Sequence, residues 1–248
     1  MTDLVQRQQE GGVVTLTLNR PQALNALSPT LFVELDAHLR WLEEQGDAVG
    51  AVVLIGAGRA FSAGNDLKAI QRGEKAPTPH FAAETVDRLE ALPQAVVGAV
   101  RGACYTGALE LVLGCDLIVA ADDARFCDTH GKLGFVPIWG MTQRLPRRVG
   151  QQVAREMMFT GRVVGAEEAV RIGLACRTVP GAELEAAALQ LARDIAANSR
   201  WTVRHEKAML AQTADMTYRA GLDHERLRSA GRSPDSGERI AAMLARGR

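Results

Sequence analysis

Two glycine-containing turns carry the residue types from which acid–base chemistry can be built. The first is Phe61-Ser62-Ala63-Gly64-Asn65-Asp66-Leu67-Lys68. Small residues there let backbone N–H groups come close to a ligand, although the same composition also makes an ordinary loop. The second is Gly102-Ala103-Cys104-Tyr105-Thr106-Gly107-Ala108-Leu109-Glu110. Thr106 is placed to cap a helix whose first turn contains Gly107. The free N–H groups of that turn, with the helix dipole, would meet developing negative charge. Glu110 stands three residues on, one turn along the same face, where its carboxylate could act on an atom held by that N–H. Taken alone, a glutamate in this place is more often a capping or solvated side chain.

Other motifs lose their support. The apolar run Ala51–Ile55 leads into Gly56-Ala57-Gly58, but the third glycine of a dinucleotide fingerprint would fall on Phe61. No GxxxxGK[ST], HExxH or GxSxG occurs, which removes the main basis for an NTPase, a zincin or an α/β-hydrolase. Cys104, Cys115, Cys127 and Cys176 show no metal-ligand spacing, three of them sit in apolar surroundings, and they read as buried free thiols.

The elements that must position these turns alternate. Val13–Asn19 reads as a strand stopped by Arg20-Pro21. Ser28-Pro29 supplies an N-cap and N1 proline for a helix running to Gly46, with Leu31, Leu35, Leu39 and Leu42 on one stripe. Ala51–Ile55 reads as a strand buried on both faces, Arg72–Pro79 as a surface loop, and His80–Leu92 as a helix. Strands at Ala95–Val100 and Leu117–Ala121 flank the apolar segment Gly107–Leu113, and this alternation argues for α/β layering. From Gly181 onward only helical periodicity is visible: Leu184, Ala188, Leu191 and Ile195, then Met209–Ala214, Tyr218–Leu227 and Ile240–Leu244. A soft boundary at Asn198-Ser199 divides a core of residues 1–198 from a helical region of residues 199–248.

The chain has 248 residues, long enough for one large core, with 47% hydrophobic and 23% charged residues. Its 29 basic and 29 acidic residues cancel, so no global field favours nucleic acid or an anionic membrane. The polar start Met1–Gly12 has no apolar leader, and the nearly uncharged run Ala48–Gly58 is too short to cross a bilayer. A soluble protein of a reducing cytoplasm is expected. From Arg219 to the end seven arginines face four acidic residues, a balance read as a solvated face.

Leu18-Asn19-Arg20-Pro21-Gln22-Ala23-Leu24-Asn25-Ala26-Leu27, Phe61–Lys68, Gly107–Glu110 with Cys115-Asp116, and Thr142-Gln143-Arg144-Leu145 resemble, in order and spacing, the enoyl-CoA hydratase/isomerase (crotonase) superfamily. The resemblance spans about residues 5 to 248. It implies an α/β fold, a crotonase-like spiral of ββα units, with a helical C-terminal region that forms trimers, often paired into hexamers. It also implies an acyl-CoA thioester substrate, no cofactor beyond the CoA moiety, and no metal.

Carried over by position, the resemblance assigns the oxyanion hole to the backbone N–H groups of Asn65 and Gly107, which would meet an enolate oxygen as its charge forms. Asn65 replaces a commoner alanine but acts through its main chain. Ala63, Asn65, Asp66 and Leu67 resemble the adenine-binding loop, and Gln22-Ala23-Leu24 the segment along the CoA pantetheine and phosphates. Gln22 stands where a lysine is common. Glu110 matches the first of two hydratase glutamates, and the second falls on His130 in Asp128-Thr129-His130-Gly131. Histidine can carry a proton near neutral pH, and it can equally be structural. Asp128 has no assigned role, and Trp139, where the family usually has a small residue, either floors the acyl pocket or is plain core. Arg144, Arg147 and Arg148 form a basic cluster read as surface and interface. Reversible hydration of a 2-enoyl-CoA is the expected reaction. The alternatives are double-bond isomerisation, another crotonase-type lyase or hydrolase, and a catalytically weak acyl-CoA-binding protein.

Overall fold

The computed structural model describes residues 3–246. Of the segments singled out above, Met1 and Thr2 in the polar start and Gly247 and Arg248 in the basic tail lie outside the described residues. A six-stranded sheet forms the centre, in the order β1-β2-β3-β4-β6-β9. Its strands are β1 Val5–Glu10, β2 Val13–Leu18, β3 Ala51–Gly56, β4 Ala95–Val100, β6 Leu117–Ala121 and β9 Arg177–Val179. β1 pairs antiparallel with β2 and every later pair is parallel. A second sheet joins β5 Ala103–Tyr105, β7 Arg125–Cys127 and β8 Val163–Gly165, parallel between β5 and β7 and antiparallel between β7 and β8.

The strands β3 and β4 are buried at every position, because helices cover both faces of a parallel sheet. One face packs on α1 Pro29–Glu44, α3 Phe81–Ala91, α4 Gly107–Leu113, α6 Met141–Val149 and α7 Gln151–Thr160. The other receives Leu184, Ala188 and Ala192 of α9 Leu184–Ala197 against Val53, Ile55, Val97, Ala99, Val119 and Ala121. Ser28 caps α1 as expected, its Oγ accepting from Leu31 N at 3.2 Å, and the Leu31, Leu35, Leu39 and Leu42 stripe is fully buried. Each such leucine contributes roughly 1.5–3 kcal/mol of burial. The helices α2 Leu67–Gln71, α5 His130–Leu133 and α8 Ala166–Arg171 are short connectors.

β1 is a strand that the polar start concealed. It lies at the sheet edge with only Val5 buried, so no alternation marks it. The cysteines are all free: Cys104, Cys115 and Cys127 are buried and Cys176 is exposed, so the fourth does not fit the expectation of a buried thiol. The helices α10 Arg200–Thr213, α11 Tyr218–Arg228 and α12 Ser236–Arg246 complete the chain. Lys207 ties α10 to the core through Asp116 at 2.7 Å and the Gln94 carbonyl at 3.0 Å. Among the described residues, no helix is long and apolar enough to cross a membrane.

Candidate active site

Main-chain pairing brings the two turns together. Phe61 N donates to Arg101 O at 2.8 Å, Ser62 N to Ala103 O at 3.0 Å, and Tyr105 N to Ser62 O at 3.3 Å. The two segments thus run side by side into Asn65 and Gly107. Gly64 has φ +96°, and a Cβ there would lie 2.6 Å from Tyr105 O, so only glycine allows this approach. A Cβ on Gly107 would lie 2.3 Å from Asn65 Oδ1 and 2.4 Å from Trp139 Cζ3. Among the described residues, neither Asn65 N nor Gly107 N donates a hydrogen bond.

Thr106 departs from its expected part. It occupies the N-cap position of α4 at φ 54°, a turn that few non-glycine residues make, but its hydroxyl forms no cap bond. That hydroxyl instead pairs with Thr129 Oγ1 and accepts from Thr129 N at 3.3 Å, which ties the Gly107 turn to the segment carrying His130.

Glu110 is neither solvated nor a cap. It is 1% exposed, and its Oε1 accepts from Trp139 N at 2.9 Å and Met141 N at 3.1 Å. Its Oε2 lies 3.6 Å from His130 Nε2. Burial pushes the Glu110 carboxyl above its ordinary value, against the opposing pull of the Met141 N–H, His130 and the Trp139 N–H. His130 opens α5 and is buried. Its Nδ1 lies 2.6 Å from Asp128 Oδ1, which also accepts from His130 N at 3.0 Å. A turn does follow β7, and it folds Asp128 and His130 onto each other.

Asn65, Glu110 and His130 line one cavity of ≈ 590 Å³. Its walls are largely apolar: Leu27, Phe32, Ile70, Phe135, Ile138 and Trp139 are among them, with Glu74, Lys75 and Thr78 from the Arg72–Pro79 loop. Trp139 is a wall rather than plain core, held by an edge-on contact with Phe32 at 4.9 Å between ring centroids. The wall residues Phe135, Val136 and Ile138 follow no period that would mark them in the sequence. The one signal was an uncharged, glycine- and proline-containing run from Leu133 to Met141.

Of the residues assigned to CoA binding, only Asn65 lines the cavity; Gln22, Ala23, Leu24, Ala63, Asp66 and Leu67 lie outside its lining. Gln22 and Ala23 sit in a single 3-10 turn, Pro21–Ala23, beside Ala63, whose N–H donates to Leu24 O at 2.9 Å. Gln22 and Leu67 are exposed. The Asp66 carboxylate is already engaged: it accepts from Ala69 N at 2.9 Å, caps α2 and pairs with Arg20 at 2.9 Å. Burial raises its pKa, but these contacts outweigh burial and hold the carboxyl below its ordinary value. Asn25, with φ 54° and buried, fastens this region by donating to Ala57 O at 2.9 Å and Ala60 O at 2.8 Å.

The expected basic cluster is not a cluster. Arg144 binds Asp87 and Glu90 of α3 and donates to Trp139 O at 2.7 Å, Arg147 pairs with Asp215, and Arg148 donates to the carbonyls of Leu113, Cys115 and Asp116. Successive helical positions point different ways, so adjacent arginines serve separate partners. Among the described residues, no group of three or more His, Cys, Asp or Glu could hold a metal ion.

The enoyl-CoA hydratase/isomerase family matches residues 8–231. A "Probable enoyl-CoA hydratase echA8" of Mycobacterium tuberculosis is 36% identical over 98% of this chain and 95% of its own length. The "1,2-epoxyphenylacetyl-CoA isomerase" of Escherichia coli is 33% identical over 99% of this chain and 97% of its own. The crystal structure of an enoyl-CoA hydratase from Bacillus anthracis superposes with a TM-score of 0.91 at 32% identity, covering 98% of this chain and 96% of that one. With two sheets, the covering helices and the C-terminal helices in place, this chain belongs to the enoyl-CoA hydratase/isomerase (crotonase) superfamily.

Proposed function

We propose that the protein is an acyl-CoA enzyme that reversibly hydrates a 2-enoyl-CoA, with no cofactor beyond the CoA of its substrate. The observation that carries this reading is the buried Glu110 carboxyl facing His130 across 3.6 Å, on the wall of the apolar cavity that Asn65 also lines beside Gly107. The N–H groups of Asn65 and Gly107 hold the thioester oxygen as it becomes an enolate, each worth roughly 2.7–4 kcal/mol. His130 Nε2 takes a proton from water as the water oxygen bonds to C3. The displaced electrons pass to the thioester oxygen, and protonated Glu110 delivers its proton to C2 as the carbonyl re-forms. The proton on His130 then returns to Glu110, so atoms and charges balance over the cycle. The raised pKa of Glu110 supports its part as the acid.

In this reading the CoA passes along Gln22, Ala23, Leu24, Ala63, Asn65, Asp66 and Leu67, with Asp66 shaping the turn: its carboxylate is engaged and its N–H donates to Leu27 O at 3.0 Å. The acyl group enters the cavity between Phe32, Ile138 and Trp139. Exposed apolar residues on the C-terminal helices support assembly as a homotrimer or a dimer of trimers. The four free thiols support a reducing, cytoplasmic setting.

Crotonyl-CoA and longer enoyl-CoAs, followed by loss of enoyl-thioester absorbance, test the reading. Turnover by the wild type and its loss in Glu110→Gln are expected. Absence of turnover at every chain length, with the two proteins alike, overturns it. Isomerisation is a second reading with its own support: Oε1 of Glu110 is tied to two main-chain N–H groups, which leaves Oε2 as a single shuttling base. Fast conversion of a 3-enoyl-CoA with slow hydration would favour it.

A further inference from the structure

Asp128 has no part in the reading above, yet its carboxylate is 1% exposed and its contacts are specific. Oδ1 is met by two nitrogens of one residue, accepting from the main-chain N–H of His130 at 3.0 Å and lying 2.6 Å from the ring Nδ1. We propose that Asp128 is a positioning residue, locking His130 as the Nδ1–H tautomer so that Nε2 presents its lone pair beside Glu110.

An ionised carboxylate only accepts, so the ring nitrogen against it must carry the hydrogen, and a neutral imidazole then has a bare Nε2. The 3.6 Å from Nε2 to Glu110 Oε2 exceeds a hydrogen bond, so the lone pair is not consumed by its neighbour. The ring is oriented through its Nδ1 contact with Asp128, whose own position is fixed. The Asp128 carboxylate is clamped by the backbone it precedes by two residues, and Thr129 between them is fastened to Thr106 beside Gly107. The oxyanion turn and the imidazole are therefore set by one bonded unit. When Nε2 takes a proton, the imidazolium lies between two carboxyl groups, and Asp128 stabilises it without itself being protonated.

The other ionisable groups nearby are occupied or turned away. Lys132 on α5 directs its ammonium to Gly161 O. On α7, which packs against α5, Glu156 pairs with Arg162 and Arg155 is exposed. The arrangement here fixes which nitrogen is free and aims it at the cavity that His130 lines.

The inference rests on the proposed roles of Glu110 and His130, and its test separates the two. Nitrogen-15 histidine spectra of the full chain read the tautomer directly, with no turnover required. A pyrrole-type Nδ1 and a pyridine-type Nε2 are expected for His130 in the wild type, and a protonated Nε2 overturns the proposal. In steady-state assays, Asp128→Asn is expected to lower kcat about 10²–10³-fold with KM changed less than about threefold. In a His130→Gln background the same substitution is expected to add less than about a twofold loss, because a residue acting through another has nothing left to act on. Multiplying losses in the double variant overturn the proposal. Full turnover by His130→Gln alone would instead remove the catalytic role of His130, and the spectra would still decide the tautomer.

Discussion

At the scale of single residues, the site is organised around charge that is buried and aimed. Glu110 has its folded-state pKa raised, so its protonated form contributes stability that is complete below the ordinary carboxylate value and is lost as pH rises through the raised one. Because Glu110 is the proposed proton donor, Glu110→Gln is expected to lower kcat/KM roughly 10²–10⁴-fold. Its melting temperature at pH 8 should equal or exceed that of the wild type, with the difference closing toward pH 4.5, as scanning calorimetry across pH would show. Gly107→Ala places a methyl group against Asn65 and Trp139 and is expected to cost about 10²–10³-fold in kcat. Asn65→Ala keeps its N–H and should cost less than about tenfold, less than one oxyanion donor is worth. The buried thiols Cys104, Cys115 and Cys127 are all pushed above their ordinary value by burial, Cys115 to about 12. Titration of the native protein with a thiol reagent should thus modify Cys176 alone, and denaturation should expose the rest.

At the scale of elements, what could be read in advance follows from burial. β3, β4 and β6 announced themselves because strands covered on both faces run as continuous apolar segments, β2 because β-branched and apolar residues alternate up to Arg20-Pro21, and α1 because a leucine stripe and a Ser-Pro cap agree. β1 was hidden because one buried valine makes no pattern, and β5, β7, β8 and β9 because three residues are too few to show a period. The site divided the same way. Glu110 and Gly107 could be picked out from spacing, whereas the Asp128–His130 contact depends on a turn that no periodicity marks, and Thr106 exchanged its cap for a bond across the site. The cavity wall shows the same dependence on elements. Arg144 bridges α3 to the Trp139 carbonyl, and Phe32 of α1 holds the Trp139 ring. Trp139→Ala should enlarge the cavity and shift preference toward bulkier or longer acyl groups, each added methylene that is buried gaining about 0.8 kcal/mol in kcat/KM. A panel of acyl lengths with both proteins checks this, and an unchanged ranking contradicts it.

At the scale of the whole molecule, α9 lies on the sheet and belongs with the core, while α10 and α11 contain no buried residue. The division into residues 1–198 and 199–248 is our proposal, in which the second part is held by Arg200, Arg204 and Lys207 on its inner side and shows large apolar residues among charged ones on its outer side. Tyr218, Leu227 and Met243 are 84%, 81% and 78% exposed, a surface that a lone chain gains nothing by showing. If the protein assembles as proposed, Leu227→Glu combined with Met243→Glu should shift the mass measured by light scattering from that of the proposed trimer or hexamer toward monomer, with far-UV circular dichroism unchanged. An unchanged mass would place the assembly surface elsewhere.

The central claim is that two main-chain N–H groups meet one thioester oxygen beside Glu110. A crystal structure of the chain with a bound acyl-CoA tests it most directly. The carbonyl oxygen is expected about 2.7–3.1 Å from both Asn65 N and Gly107 N, with the acyl carbons running past Glu110 and His130 toward Trp139. A carbonyl oxygen turned away from either N–H, or an acyl group lying outside that cavity, would contradict it.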